Sequence, residues 1–261
     1  MQLSLKGKTA VVCGSTQGIG WAIAEELAQL GARCILLARN KETLQQNTSQ
    51  LEAHYPNDHQ YEVADFTKVD EVKAAIERIT SKQTVHILIN NTGGPAAGPI
   101  IDAHPDAFVA AFNQHLVNNH NLVQAVLPGM KRESWGRIIN VISTSVKIPL
   151  NNLGVSNTIR GAVASWAKTL ANEAGQFGIT VNNILPGFTS TSRLESLIKT
   201  NAQKKGITED EEVKKMAAEV PARRFGTAAE VAAVAAFLAS PAASYVNGVS
   251  IPVDGGRTGS I

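Results

Sequence analysis

Two stretches of the chain carry polar groups at spacings that chemistry can use. In GVSNTIRGAVASWAKTL, Gly154 to Leu170, the pattern is that of an amphipathic helix, with Ser156 and Arg160 one turn apart on the same face. A hydroxyl and a guanidinium so placed are either a site or a solvated edge. In CGSTQGIGWAIAEELAQLGA, Gly14, Gly18 and Gly20 fall in a GxxxGxG spacing before a helical pattern. Such glycines permit a tight turn and the close approach of a pyrophosphate, whose charge is attracted to the free N–H groups of the following helix. A structural strand-to-helix turn would explain the same glycines, and context decides between the two.

The context is an alternation of short apolar runs with helical-period stretches, which predicts an α/β fold: a parallel sheet covered by helices. Strands are expected at TAVVC (9–13), RCILLA (33–38), YEVA (61–64), VHILIN (85–90), RIINVI (137–142), ITVNNI (179–184) and VSIPV (249–253), most of them buried on both faces. Helices are expected near 18–30, 41–53, 68–82, 105–130, 154–176 and 227–239. The glycine loop therefore has the strand before it and the helix after it that a dinucleotide loop requires. Residues 188–224 break the alternation, being polar, without a strand pattern and mixed in charge (Arg193, Glu195, Lys199, Lys204, Lys205, Glu209, Asp210). An insertion after the sixth strand reads as a mobile lid over a site at the strand ends, with Thr208 and Glu211 forming a capping box at the start of a short helix.

The bulk numbers narrow the function classes. The 261 residues are 44% hydrophobic and 18% charged, with a net charge of +2, an ordinary globular profile without the basic footprint of a nucleic-acid binder. No run approaches the ~20 apolar residues of a membrane span. Cys13 and Cys34 lack CxxC or ligand spacing, so they read as buried thiols in a reducing compartment, and no metal site is expected. The opening MQLSLKGKTAVVCG has no apolar region of signal-peptide length, and the expected location is cytoplasmic.

A dinucleotide fold that selects NAD offers an acid near the end of the second strand, where it binds the ribose 2′-hydroxyl. Here that place reads LLARN and supplies Arg39 instead. A guanidinium suits a 2′-phosphate, which favours NADP over NAD unless Arg39 is simply a surface arginine at a strand end.

The Gly14-Gly18-Gly20 loop is joined by Asp65 after the third strand, the NNTG of Asn90 to Gly93, and Ser143 after the fifth strand. Pro186-Gly187 with Thr191 after the sixth strand and the terminal VDGG of Val253 to Gly256 complete the set. Through these residues the chain resembles the short-chain dehydrogenase/reductase superfamily over nearly its whole length. Within it the nearest likeness is to the 3-oxoacyl-(acyl-carrier-protein) reductases. The resemblance implies one Rossmann-like, doubly wound domain over residues 1–261, with seven parallel strands and helices on both faces. It also implies NAD(P) binding, a small-molecule substrate, no nucleic-acid or membrane partner, and a homotetramer or homodimer. Cofactor contacts are implied for Gly14, Ser15, Thr16, Gly18, Ile19 and Gly20 of the loop, and for Asp65 and Phe66 near the adenine. Asn90, Thr92 and Gly93 are implied near the ribose, and Pro186, Gly187, Thr189 and Thr191 near the nicotinamide.

The resemblance breaks where the family keeps its chemistry. Its tetrad is an Asn on the helix after the fourth strand, a Ser, a Tyr thirteen residues after the Ser, and a Lys four beyond the Tyr. Counted from Ser143, the Tyr place is Ser156 and the Lys place is Arg160, while the Asn place is His115. A tyrosine of pKa ~10, lowered by its lysine, can exchange a proton near neutrality, whereas a serine hydroxyl is far less acidic. Arg160 keeps a fixed positive charge and can grip ribose hydroxyls, yet it will not relay protons at physiological pH. His115 gains a group of unperturbed pKa ~6.5, which makes it a candidate acid or base, or else a packing histidine. Tyr245 is at most a remote substitute for the missing phenol.

Three functions follow. The first is an NADP-dependent oxidoreductase in which Ser143 and Ser156 orient a carbonyl or alcohol oxygen, Arg160 holds the ribose, and water or His115 supplies the proton. The second is a regulatory or scaffolding protein that kept the cofactor pocket and lost the reaction. A changed reaction without hydride transfer is third, and the intact glycine loop argues against it.

Overall fold

In the computed structural model, which describes residues 1–260, the chain runs β1 (Thr9–Cys13), α1 (Gly18–Gln29), β2 (Arg33–Ala38), α2 (Lys41–His54), β3 (Gln60–Val63), α3 (Val69–Thr80) and β4 (Ile87–Asn90). It continues through α4 (Pro105–Phe112), α5 (Asn118–Arg132), β5 (Gly136–Val141), α6 (Gly154–Ala174) and β6 (Ile179–Pro186). The last elements are α7 (Ser192–Lys205), α8 (Glu209–Ala218), α9 (Ala228–Ala239) and β7 (Ser250–Val253). Ile261, the last residue of the domain expected from the sequence, lies outside the described residues.

All seven strands are parallel, in the order β3-β2-β1-β4-β5-β6-β7. β1 explains why the strand sequences read as continuous apolar runs. Ala10 and Val12 face a core with Ile23 and Leu27 of α1, Leu44 of α2 and Leu238 of α9. Val11 and Cys13 face the opposite core, with Ile76 of α3, Val123 of α5 and Ala167 of α6. Each buried aliphatic side chain contributes about 1.5–3 kcal/mol, which is why a sheet covered on both faces leaves no room for polar alternation. The direction of winding reverses between β1 and β4, and the carboxyl ends of those strands open the crevice where ligands bind in such sheets.

The expected α/β architecture of seven parallel strands is present, with local differences. β1 and β2 match their expected limits, and β3 shifts by one residue. β4 begins two residues later than expected, at Ile87. There the His86 ring accepts the Thr9 N–H at 3.0 Å and fixes the turn into the sheet. The single helix expected over 105–130 is divided: between α4 and α5, Asn113–Val117 form a π-turn. The wider turn aims polar side chains inward, so that Asn118 Nδ2 donates to Phe66 O at 2.8 Å and His115 meets Thr92. Such π-turns occur often at functional sites.

The segment 188–224 holds α7 and α8, closed on a small apolar cluster of Leu194, Ile198 and Met216 with Phe188 and Phe225. The capping box at Thr208 and Glu211 is formed. Glu212 is fully buried beneath it, and Lys205 Nζ donates to both of its carboxylate oxygens at 2.7 Å. Among the described residues, no helix is long and apolar enough to cross a membrane.

Candidate active site

A cleft of about 480 Å³ opens at the carboxyl ends of β1, β2 and β4. Its floor is the glycine loop. Gly14 and Gly18 adopt positive φ (60° and 57°), and a Cβ on Gly20 would run into the Gly14 carbonyl oxygen. Asn47 of α2 pins the loop from behind, its Nδ2 donating to Ser15 O and Thr16 O at 3.1 Å each. The N-terminus of α1 has no side-chain cap and no acid in its first turn. Its free amide groups and positive end are left for an anion, and this fits the diphosphate of a dinucleotide.

Arg39, Asp65 and Phe66 line the far end of the cleft. Arg39 makes no ion pair among the described residues, so its guanidinium is available to a phosphate. Asp65 is held below the usual carboxylate range, chiefly by the Thr67 N–H it accepts and more weakly by Arg39. Of the other cofactor candidates, Thr16, Ile19, Thr92, Gly93 and Thr191 also line the cleft. Ser15, Gly20, Asn90, Pro186, Gly187 and Thr189 are not among the residues that line it. Ser15 and Asn90 are buried, and each keeps a side-chain oxygen without a partner. Gln17, Gln114 and Ser192 line the cleft without having stood out in the sequence, and Asn91, whose motif did, lines it too.

At the other end of the cleft, Gly94 lies against the Arg160 guanidinium, one turn of α6 beyond Ser156. Ser156 and Arg160 are buried, at 8% and 9% exposure, which excludes a solvated helix edge. Arg160 Nη1 donates to Val141 O at 3.0 Å, while its Nε has no partner. Burial, and secondarily Arg193, lower its guanidinium to about 10. The Ser156 hydroxyl has no hydrogen-bond partner among the described residues. Ser143 Oγ accepts the Ser145 N–H at 3.1 Å, which leaves the Ser143 O–H free to donate.

Of the two roles expected for His115, the structure fits the packing, hydrogen-bonded histidine. The ring is 2% exposed, its Nδ1 lies 2.8 Å from Thr92 Oγ1, and its Nε2 has no partner. Burial first, and then the charges of Arg160 and Arg193, lower its pKa to about 3. It is uncharged at pH 7, so it is not an imidazolium acid there.

Arg193 closes this end. It reaches across from α7 and donates to Gly94 O at 3.3 Å and Pro95 O at 3.4 Å. The sequence places Arg193 only within a charge mixture, and no spacing links it to Gly94, 99 residues away. A second feature missed from the sequence is an amide ladder at the strand ends. Asn90 Nδ2 donates to Asn140 Oδ1 at 2.8 Å, Asn140 to Asn183 at 2.9 Å, and Asn183 to Ser250 Oγ at 3.0 Å. The matching strand positions of the three asparagines were the available signal.

Elsewhere, Cys13 and Cys34 are buried free thiols that burial raises to about 12, so neither is a nucleophile. Tyr245 is fully exposed and does not line the dinucleotide cleft. A second cavity of about 240 Å³ lies beside Thr144, Ile148 and Leu150, closed by Glu219, Arg257 and Thr258.

A doubly wound sheet, a phosphate-ready glycine loop at its switch point and hydroxyls beyond the loop define a dinucleotide-dependent oxidoreductase architecture. The model of the family described as Enoyl-(Acyl carrier protein) reductase matches residues 14–258. The chain belongs to this family, part of the NAD(P)-dependent short-chain dehydrogenases/reductases. It is 30% identical to the NADPH-dependent reductase BacG of Bacillus subtilis, over 97% of this chain and 99% of that one. It is 34% identical to the 3-oxoacyl-(acyl-carrier-protein) reductase FabG of Pseudomonas aeruginosa, over 97% and 98%. Among solved structures it is similar to L-sorbose reductase from Gluconobacter frateurii complexed with NADPH and L-sorbose, with a TM-score of 0.94 and 30% identity over the whole of both chains.

Proposed function

We propose that the protein is a cytoplasmic NADPH-dependent carbonyl reductase, similar to the 3-oxoacyl-(acyl-carrier-protein) reductases, with Ser156 and Arg160 in place of the usual tyrosine and lysine. The observation that carries this reading is the buried, incompletely bonded Arg160 guanidinium beside a cleft whose glycine loop is open to a diphosphate. NADPH-dependent relatives at 30% identity support the choice of cofactor.

Bound in the cleft, the reduced dinucleotide would supply a hydride to a carbonyl carbon. The loop amides from Gly14 to Gly20, with Ser15, Thr16 and Ile19, hold the diphosphate, and Arg39 takes the 2′-phosphate. Asp65 and Phe66 frame the adenine; Asn90, Thr92, Gly93 and Arg160 serve the ribose; Pro186, Gly187, Thr189 and Thr191 flank the nicotinamide. Ser143 donates its free O–H to the substrate oxygen, and Ser156 provides a second hydrogen bond. Neither hydroxyl is acidic enough to give up its proton, and His115 is neutral, so the proton comes from water. Absence of a positioned acid lowers a rate ~10²- to 10⁴-fold, and slow turnover is expected. In this reading residues 1–261 are one domain and 188–224 its lid. The exposed Ile100, Ile101, Val109 and Phe112 form the face of a homo-oligomer.

The test is titration with NADPH and NADH followed by tryptophan fluorescence, since Trp21 directly follows the glycine loop. NADPH oxidation is then measured over ketones, aldehydes, quinones and acyl thioesters. Tight binding without turnover on any of them refutes the reductase. It favours the second reading, a cofactor-binding regulatory or scaffolding protein, whose supporting observation is that no tyrosine lines the cleft. In that case Ser143→Ala is silent.

A further inference from the structure

Four of the ten arginines are held in ion pairs among the described residues, and Arg39, Arg132, Arg137, Arg160, Arg193 and Arg223 are not. Arg33 is paired with Asp58, Arg78 with Glu62, Arg224 with Glu230 and Arg257 with Glu219. Of the other six, Arg160 and Arg193 alone are seen to converge on one point, and neither holds a carboxylate among the described residues. A Cβ built on Gly94 would lie 2.9 Å from Arg193 Nη2 and 3.4 Å from Arg160 Nη2. The hydrogen bonds these two make are to carbonyl oxygens, of Val141, Gly94 and Pro95, and the Nε of buried Arg160 has none. His115, which packs beside them, feels the charges of both and of no acid. The only acid lining the cleft, Asp65, belongs to its opposite end with Arg39.

Two guanidinium groups gathered without a counter-ion, one of them nine-tenths buried, are unfavourable until an anion arrives. We infer that Arg193, with the positive charge of the ribose-binding Arg160 behind it, is a carboxylate subsite, and that the physiological substrate is an oxo acid whose carboxylate replaces the carbonyl contacts of Arg193. This rests on the reductase reading. It places the reacting carbonyl between the Ser143 and Ser156 hydroxyls on one side and the carboxylate anchor on the other. The carbonyl carbon accepts a hydride and the oxygen takes a proton from water, giving a hydroxy acid and the oxidised dinucleotide. The anchor also supplies orientation, which a site without a phenol needs more than one with it. A forked guanidinium binds a carboxylate in a fixed plane, and the neutral hydroxyls and neutral imidazole around it offer no competing negative charge.

The experiment compares matched pairs, pyruvate with methyl pyruvate and 3-oxobutanoate with its methyl ester, by NADPH oxidation. Malonate binding is measured calorimetrically with and without NADPH. Both are done on the wild type, Arg193→Met and Arg193→Lys. The expected result is kcat/KM on the order of 10- to 100-fold higher for acid than for ester. Arg193→Met brings that ratio near one and abolishes malonate binding, Arg193→Lys retains part of both, and the NADPH Kd changes less than about threefold. Equal or better turnover of the esters overturns the inference and leaves the reductase reading standing. A variant that weakens NADPH and keeps the acid preference overturns it too, because Arg193 then serves the cofactor diphosphate. If NADPH fails to bind at all, the reductase reading falls, and malonate binding that depends on Arg193 still decides the subsite.

Discussion

His115 makes the protein's stability depend on pH in a way that one substitution can isolate. In the folded chain its pKa is about 3, whereas in the unfolded chain it returns to ~6.5. Between these values the unfolded state binds a proton that the folded state refuses. Stability is therefore fully present above about pH 6.5 and is lost as the pH falls toward 3, at about 1.4 kcal/mol per pH unit. At pH 4.5 the wild type has lost about 2–3 kcal/mol through this residue alone. His115→Asn keeps a polar side chain able to meet Thr92 Oγ1 and removes the titration. Urea midpoints of both proteins at pH 7.5 and 4.5, at one protein concentration, give the double difference. His86, also lowered by burial, titrates in both proteins and cancels, as do the carboxylates. Wild type and variant are expected to differ by 2–3 kcal/mol more at pH 4.5 than at pH 7.5, in favour of the variant. Parallel loss in the two proteins, within about 0.5 kcal/mol, refutes the claim that the arginines and burial keep this ring neutral.

Other perturbations address the remaining parts of the site. Arg39→Ala is expected to weaken NADPH binding by about 10-fold or more with little change for NADH, read from the fluorescence of Trp21; equal losses would assign Arg39 to structure alone. Glu212→Gln leaves Lys205 without its charged partner and takes a buried hydrogen-bond acceptor from α8, so amide exchange is expected to quicken across 192–218 while β1 and β4 stay protected. The double replacement Ser156→Tyr with Arg160→Lys restores a phenol beside an ammonium and is expected to raise kcat ~10²- to 10⁴-fold on a reducible substrate; no gain with the fold intact would mean that proton supply does not limit the reaction.

What the sequence revealed depended on how local the cause was. β1 and β2 were readable to the residue because two-sided burial writes itself as TAVVC and RCILLA, bounded by charge and glycine. The Thr208–Glu211 cap and the glycine loop were equally visible, because each depends on residues within a single turn. The helix over 105–130 misled, since the 3.6-residue pattern continues through the π-turn and nothing local announces that Asn118 and His115 have partners at Phe66 and Thr92. The counting that assigns Ser156 and Arg160 to one site rests on fixed spacing along one strand, turn and helix, and both residues are buried on α6. The spacing carried nothing about protonation. The neutral state of His115 comes from burial and then from the guanidinium groups of Arg160 and Arg193, both on other elements.

Arg193 is the clearest case of that boundary, and it alters the chemistry the site can do. Read alone, the exchange of tyrosine and lysine for Ser156 and Arg160 removes an acid and leaves a cation, which describes an impaired enzyme. With Arg193 beside it, the same exchange describes, in the proposed reading, a site with two positive charges meeting at Gly94 and two hydroxyl donors for the substrate oxygen. Carbonyl reduction builds negative charge on oxygen before a proton arrives, and preorganised donors and cations stabilise that charge without needing to lose a proton themselves. The positive ring left on the oxidised cofactor would be opposed by the same cations unless a substrate carboxylate offsets them. On the proposed carboxylate subsite, substrates that bring their own negative charge are expected to be preferred, and the acid-to-ester ratio is a sharper probe of this site than turnover of any single compound.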